Sequence, residues 1–478
     1  MTKGSSLKNA LFSVGDTLLL PFIMIVATPL FIDKLGVEQY GVWMFINSLV
    51  IALSFINIGG ADTVIKYVSQ YNKTGDVVKI RQVFSTIFFI QLVVVILLST
   101  VVICIYYSSF IFSSFEEYKS ENDLLLLLGA LVFLVKMLEQ VIHSYYKGNE
   151  RYDLSSMLSV MSKLILISAQ LFSIFEFKSL NYVFSASLLA SVTSLFLSTL
   201  ILLKTDVYLI DKNHFNMEIL KDVFTFTKWG WCASIVGTAS SQIDRWVVGT
   251  LVSMTVFGYY SIGLLIFNNI HTVFAASVGW VFPKVSFNKD PELICKYYKI
   301  LQCLLLTFSM LVSISLYHSS PIFNLWLGVD NYEKAQFFIN GFLILLPIFS
   351  LSIVPYYMVK GCGLIKHNFI TEIITFVIRF SLMLLLFRYF GVGGIIFSLG
   401  LSGYILGCYL AIILNIKVLP KFNLNISCMF FIPLLYAGML LASDLILQLI
   451  FFTGLLFFYV KVFRGEIIFI FKKLQVAL

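Results

Sequence analysis

The stretch that decides the fold is residues 83–107, VFSTIFFIQLVVVILLSTVVICIYY, which contains no charged side chain. A helix needs about 20 apolar residues to cross the hydrocarbon core of a bilayer, and this stretch is long enough. The whole chain has the same character, because 59% of its 478 residues are hydrophobic and only 12% are charged. Soluble domains are about 25% charged. The sequence therefore predicts an all-α polytopic membrane protein.

Apolar runs of similar length recur from one end of the chain to the other. Counted with the same length criterion, they predict about 14 transmembrane helices, of which the last two are separated only by residues 442–444. The predicted spans are 9–32, 40–60, 83–107, 124–143, 154–175, 180–203, 223–249, 256–282, 297–317, 337–358, 368–390, 392–415, 425–442 and 445–463.

The distribution of lysine and arginine orients these spans. With a cytoplasmic N-terminus, about 23 of the 33 Lys and Arg residues fall in inner segments and about 5 fall in outer ones. Cytoplasmic loops carry the excess of Lys and Arg in membrane proteins, so both termini are predicted to be cytoplasmic. Lys3 and Lys8 precede the first span without a small-residue cleavage site, so that span is expected to remain as an anchor. The net charge of +8 then belongs to inner loops, which argues against a nucleic-acid partner.

Two pairs of similar segments indicate an internal repeat. QYGVW at 39–43 matches VFGYY at 256–260, and the YYKG motif that opens 145–151 matches the YYMVKG motif that opens 356–366. Both pairs are separated by roughly 215 residues, which predicts two copies of a six-helix unit. An even number of spans gives both copies the same orientation, so their pseudo-two-fold axis is predicted to follow the membrane normal.

This repeat predicts two six-helix bundles followed by two C-terminal helices. No loop outside the spans is long enough to form a domain of its own. The predicted parts are an N-lobe at 1–203, a cytoplasmic linker at 204–222, a C-lobe at 223–418, and two additional helices with a cytoplasmic tail at 419–478.

Five cations fall in or beside the apolar runs. A buried cation costs about 2.5–3.5 kcal/mol on insertion scales, so it normally faces a polar cavity. Lys163 and Arg379 lie at similar depth in the fifth and eleventh predicted helices, where two cations facing one cleft would bind a diphosphate. The alternatives are a carboxylate partner on the same lobe or a side chain that reaches the membrane interface. Lys228, beside two tryptophans, fits the interface reading, and the candidate substrate-binding residues are Arg245, Arg379, Lys163 and Lys136.

Three carboxylates are candidates for coupling to H⁺ or Na⁺. Glu139 follows Lys136 at the i, i+3 spacing of a local ion pair, so the two either neutralise each other or an anion competes for the lysine. Asp244 is adjacent to Arg245 and either pairs with it or contacts another helix. Asp16 precedes two prolines that favour a bend, although a hydrogen-bonded carboxylate near the cytoplasmic end explains it equally well.

The chain resembles the polysaccharide (O-antigen type) flippases of the multidrug/oligosaccharidyl-lipid/polysaccharide exporter superfamily. The segments that carry the resemblance are LGVEQYG at 35–41, IGGAD at 58–62, QIDR at 242–245, FGYYS at 257–261 and LWLG at 325–328.

This resemblance implies two bundles with a central cavity that opens alternately to each side of a bacterial inner membrane. The implied substrate is an undecaprenyl-diphosphate-linked oligosaccharide, as in lipopolysaccharide O-antigen synthesis. A polysaccharide polymerase and a chain-length regulator are the expected protein partners, and membrane lipids surround the helices. Aligned with the cationic lumen of the family, Lys163, Arg245 and Arg379 are the expected binding residues, with Lys136 beside them.

Two other functions compete with this one. A multidrug or cation antiporter of the same superfamily would need acidic and aromatic residues around an organic cation, whereas the charges predicted within the membrane are mainly positive. A membrane polymerase or glycosyltransferase would be expected to carry a large outer loop with an acid–base pair. The outer loops predicted here are short, so no enzyme activity is expected. No cofactor is expected, and the seven cysteines form no metal-binding motif.

Overall fold

The computed structural model describes residues 3–53, 60–108, 121–206, 209, 235–287, 290–419, 426–441 and 445–477. Lys228 and most of the predicted linker lie outside these ranges. The described residues are helical apart from short turns and contain no strand. The all-α fold predicted from the sequence is therefore confirmed.

The described residues form fifteen helices. In chain order they are α1 (Lys3–Ile51), α2 (Gly60–Thr74), α3 (Val77–Ser108), α4 (Glu121–Gly148), α5 (Tyr152–Phe177), α6 (Leu180–Thr205), α7 (235–251), α8 (Met254–Val278), α9 (Val281–Phe287), α10 (Pro291–Tyr317), α11 (Ser320–Leu327), α12 (Val329–Gly361), α13 (Ile365–Lys417), α14 (Ile426–Leu441) and α15 (Leu445–Ala477).

The two longest helices are each divided by a glycine. Gly36 in α1 has φ 82° and Gly391 in α13 has φ 57°, a region of backbone space that glycine enters readily. A straight helix as long as α13, with 53 residues, would greatly exceed the hydrocarbon thickness of about 30 Å. The kinks give each helix two limbs, which overlap the first and second predicted spans in α1 and the eleventh and twelfth in α13. The second limb of α1 ends at Ile51, before the predicted end at residue 60.

Nine helices in the described part of the chain are long and apolar enough to cross a membrane. One of these is the doubly long α13, and the apolar helix within α14 is shorter than the criterion requires. The polytopic character of the chain is therefore confirmed, whereas the number of fourteen spans stays a prediction.

Three short helices, α2, α9 and α11, join the long ones and were not predicted. In α2, Val64 and Val68 are fully buried one helical turn apart, whereas Lys66 and Lys73 are exposed. This pattern is that of an amphipathic helix packed on a protein core. A search for long apolar runs overlooks such a helix because polar residues interrupt its apolar face at every turn.

The chain divides into two compact units, unit 1 (Met1–Gly258) and unit 2 (Tyr259–Leu478). The core of unit 1 brings together α2, α3 and α4 through residues such as Val68, Phe84 and Ile142. The core of unit 2 is built on α10, α12 and the second limb of α13, with Leu306 and Leu414 among its fully buried residues. The predicted lobe boundaries at 203 and 223 stay a prediction.

The end of α6 in unit 1 is tied to the start of α3. Arg81 donates from Nε to Asp206 Oδ2 at 3.1 Å and from Nη2 to Asp206 Oδ1 at 2.9 Å. Ser85 also donates a hydrogen bond to the carbonyl oxygen of Leu209. A bidentate arginine–carboxylate pair is geometrically specific, so the backbone that follows α6 is held against α3.

Two glycines of the predicted repeat meet inside unit 1. A β-carbon added at Gly41 would lie 2.1 Å from the carbonyl oxygen of Met254, and one added at Gly258 would lie 2.5 Å from that of Val37. The neighbouring α7 packs on the same limb of α1, where Trp246 Nε1 donates to the carbonyl oxygen of Ser48 at 3.2 Å. Backbone approaches this close exclude any side chain at the two glycines.

We expect Gly41→Ala to lower the melting temperature of the purified protein, because the added carbon must push two backbones apart. Overpacking of this kind costs about 1–3 kcal/mol. Gly237→Ala in α7 is the matched control, since nothing lies within 4 Å of a β-carbon at that position. Equal melting temperatures for the two variants in detergent would contradict this account of Gly41.

Candidate functional site

A buried ion pair lies inside unit 1. Lys136 and Glu139 are on α4, and the lysine Nζ is 2.8 Å from Glu139 Oε2. Only 2% of the Glu139 side chain is exposed, whereas 27% of the Lys136 side chain is. The local pair that the i, i+3 spacing predicted is thus confirmed.

Three serines from two other helices complete the surroundings of this pair. Ser162 on α5 donates to Glu139 Oε2 at 3.1 Å and accepts a hydrogen bond from Lys136 Nζ. Ser194 on α6 accepts from the same Nζ at 3.2 Å, and Ser198 donates to Glu139 Oε1 at 3.5 Å. Helices α4, α5 and α6 therefore meet around one polar cluster.

His143 lies on the other side of the Glu139 carboxylate. Its Nε2 is 3.8 Å from Glu139 Oε1, one turn further along α4. The carboxylate thus has two basic neighbours, each facing a different oxygen. Sequence reasoning missed His143 and the three serines. The i, i+4 spacing would have indicated the histidine, but the serines are brought in by helix packing that one sequence does not reveal.

The two adjacent charges on α7 differ in burial. Asp244 is 3% exposed. Arg245 is half-buried and donates from Nη1 to Gln242 on the preceding turn. Within the described residues Arg245 forms no ion pair, and its buried Nε has no hydrogen-bond partner there. The guanidinium therefore has donors to offer to an anion.

Arg379 is buried in unit 2, where α13 folds back on itself. The kink at Gly391 brings the second limb of α13 beside the first, and Arg379 Nε donates to Ser402 Oγ at 3.0 Å. Asn368, Thr371 and Thr375 precede the arginine and are also buried. Because these positions recur every three or four residues, one face of this limb is polar through much of its length.

The two remaining predicted residues are Lys163 and Asp16. Lys163 is half-buried on α5, directly after Ser162. Asp16 belongs to α1, but its side chain lies outside the described part of the structure. Of the predicted site residues, the structure brings Lys136 and Glu139 into direct contact. Whether the set forms one binding site stays a prediction.

The fold and its buried charges define a polytopic helical membrane protein with a partly polar interior. Residues 6–289, more than half of the chain, match the family described as polysaccharide biosynthesis protein. The chain therefore belongs to this family.

The chain is also similar to a curated relative and to solved structures. It is 22% identical over 371 residues to a putative O-antigen transporter of Shigella flexneri, a match that covers 75% of this chain and 85% of the relative. A multidrug resistance MATE family transporter of the MOP superfamily, in an inward-facing conformation, superposes with a TM-score of 0.69 at 16% identity, covering 84% of this chain and 96% of that one. The lipid II flippase MurJ in an inward closed conformation gives 0.66 at 17% identity, covering 96% and 99%. The resemblance expected from the sequence motifs is confirmed.

Removing one member of the Lys136–Glu139 pair should destabilise the protein more than removing both. A buried charge that has lost its partner costs about 3–5 kcal/mol, whereas replacing both partners by neutral groups is much milder. We expect Lys136→Met and Glu139→Gln each to lower the melting temperature and the double variant to recover much of the loss.

Lys147→Met, on the same helix but outside the cluster, serves as the control and should change the melting temperature little. If the losses of the two single variants simply add in the double variant, the two side chains do not interact and the pair contributes nothing to stability.

Proposed function

We propose that this protein is a flippase that moves an undecaprenyl-diphosphate-linked oligosaccharide from the cytoplasmic to the outer leaflet of a bacterial inner membrane. The observation that carries the proposal is the Arg245 guanidinium, which forms no ion pair within the described residues. A cation in an apolar helix costs free energy unless it faces a polar environment or binds an anion. A diphosphate linked to a lipid is such an anion, and family membership supplies the polysaccharide context.

Arg379 supports the same proposal in unit 2. Its Nε donates to a neutral hydroxyl, Ser402 Oγ. The serine orients the guanidinium, and Glu372 on the same limb of α13 also interacts electrostatically with Arg379. A phosphate would therefore compete with this carboxylate for the arginine. Arginine is suited to this task because its planar fork can bind two phosphate oxygens at once. We assign Arg245, Arg379, Lys163 and Lys136 to binding of the diphosphate during translocation.

Coupling to an ion gradient is proposed for the buried carboxylates. Glu139 is enclosed by Lys136, His143 and serine hydroxyls, so a change in its protonation alters the charge balance of the whole cluster. An anion that attracts Lys136 would leave Glu139 with a greater affinity for a cation. Asp16 and Asp244 are the other candidates, and H⁺ and Na⁺ are the candidate ions.

Alternating access is the proposed transport cycle, with cytoplasmic N- and C-termini. A polysaccharide polymerase and a chain-length regulator are the proposed partners, since an oligosaccharide delivered to the outer leaflet is the substrate of polymerisation. The fold alone does not separate this function from drug export, because a MATE family transporter and a lipid flippase both superpose on the chain. Arg379 is buried and Arg245 is half-buried, and guanidinium groups at these positions favour an anionic substrate.

We expect Arg245→Ala and Arg379→Ala each to reduce export of the surface glycan in cells that lack their own flippase. Loss of a hydrogen bond to a charged group costs about 1.5–3 kcal/mol, which corresponds to roughly a tenfold to hundredfold loss of affinity. Arg388→Ala is the matched control, because Arg388 lies on the same limb of α13 as Arg379 but is exposed.

Surface glycan should be measured together with the amount of each variant in the membrane fraction. Arg379→Lys should retain part of the activity because it keeps the charge. Normal export by both alanine variants and by the double variant would refute the cation site.

Glu139→Gln should abolish glycan export driven by an ion gradient if this carboxylate couples transport. The amide keeps the size of the side chain but cannot change its charge. Glu176→Gln, an exposed carboxylate on α5, is the control and should transport normally. Export would be measured before and after dissipating the proton or sodium gradient; export by Glu139→Gln that still responds to both gradients would remove Glu139 from the coupling scheme.

A further inference from the structure

The Lys136 ammonium occupies a small cage made of oxygen atoms. Its three hydrogen-bond acceptors are Glu139 Oε2, Ser162 Oγ and Ser194 Oγ, contributed by α4, α5 and α6 respectively. A lysine ammonium has three N–H donors and no acceptor, so all three donors are satisfied in this cage. We refer to these three oxygens as the ammonium cage.

The composition of this cage is that of a site for a monovalent cation. One carboxylate provides a single negative charge and two hydroxyls provide neutral oxygens, which are the donors that hard cations prefer. A divalent ion would leave an excess positive charge in a buried place, whereas a singly charged ion is neutralised by Glu139. The residues that supply the cage oxygens are buried, since Ser162, Ser194 and Glu139 are each at most 6% exposed, whereas the Lys136 side chain is 27% exposed.

The second oxygen of Glu139 adds to this environment without entering the cage. Ser198 and His143 both face Oε1, whereas Lys136 and Ser162 face Oε2. The carboxylate is therefore oriented from both sides and does not depend on Lys136 alone for its position. The cage oxygens should then keep their arrangement when the ammonium is removed.

We propose that the ammonium cage is a monovalent-cation site that the chain fills with its own lysine. Removal of the Lys136 side chain opens the site to free ammonium or to an alkali-metal ion. In the natural protein the tethered ammonium excludes these ions for as long as Lys136 occupies the cage. The inference deepens the ion coupling proposed above, on which its biological meaning rests, but it concerns binding and is tested without transport.

The experiment compares melting temperatures of the purified full-length protein in chlorides of ammonium, sodium, potassium and N-methyl-D-glucamine at equal ionic strength. We expect the natural protein to melt at the same temperature in all four salts. Lys136→Ala should melt lower in N-methyl-D-glucamine chloride and should recover by a few degrees, with saturation, in ammonium or one of the alkali chlorides, because a cation that binds only the folded state stabilises it.

Three further variants make the result specific. The double variant Lys136→Ala/Glu139→Gln should lose the cation-specific recovery, because the cage then has no charge. Lys147→Ala on the same helix should behave like the natural protein in every salt. Lys136→Gln is shorter than lysine and uncharged, so it should show the same recovery as Lys136→Ala if the alanine variant cannot be purified.

Two outcomes would overturn the proposal. In the first, one particular cation raises the melting temperature of the natural protein through Glu139, because Lys136 would then not be filling the cage. The other is the absence of any cation-specific recovery in Lys136→Ala and Lys136→Gln, including failure of both to fold in ammonium chloride. Neither outcome bears on diphosphate binding by Arg245 or Arg379, so the cage and the transport proposal fail independently.

Discussion

A charge enclosed by helices in a membrane must be surrounded by polar partners, and this requirement shapes the interior of both units. Glu139 is the clearest case, since two basic side chains and two serine hydroxyls lie around its carboxylate. Arg379 meets the same requirement through a serine on the returning limb of its own helix. Serine hydroxyls from neighbouring helical segments thus supply polar contacts to both of these charges.

Much of the architecture could be predicted because the signal is local. Long apolar runs identify membrane helices, and the limbs of α1 and α13 overlap the predicted spans, with a glycine between the two limbs of each helix. The pairing of Lys136 with Glu139 was also predictable, since both residues lie on one helix. The amphipathic α2 was missed because a search for spans responds to long unbroken apolar runs and not to one buried face.

The candidate site was only partly predictable, and the reason is physical. Ser162 and Ser198 reach Glu139, and Ser194 reaches Lys136, through the packing of three helices. The distances between these residues along the sequence do not reveal such contacts. The contact of Arg379 with Ser402 likewise depends on the direction that α13 takes after Gly391. A charged residue in an apolar run thus reveals that a polar environment exists, but the partners that form it emerge only in three dimensions.

The chain belongs to the polysaccharide biosynthesis family, and its fold is similar to those of a lipid flippase and of a drug exporter. Neither finding identifies a substrate, so the charged side chains of the interior are the main guide to it. A common scaffold serves both kinds of transporter, so the chemistry of a few side chains must distinguish them. Arg379 donates to a serine hydroxyl and Arg245 to the Gln242 amide, and the proposal of an anionic substrate depends on these two guanidinium groups.

The bidentate contact between Arg81 and Asp206 has a mechanical consequence. Tension applied to the backbone beyond α6 would reach α3 through this contact and through Ser85, instead of peeling α6 away from its neighbours turn by turn. The load would then be shared by two helices of the same bundle. A pull on that segment would thus displace the bundle as a body.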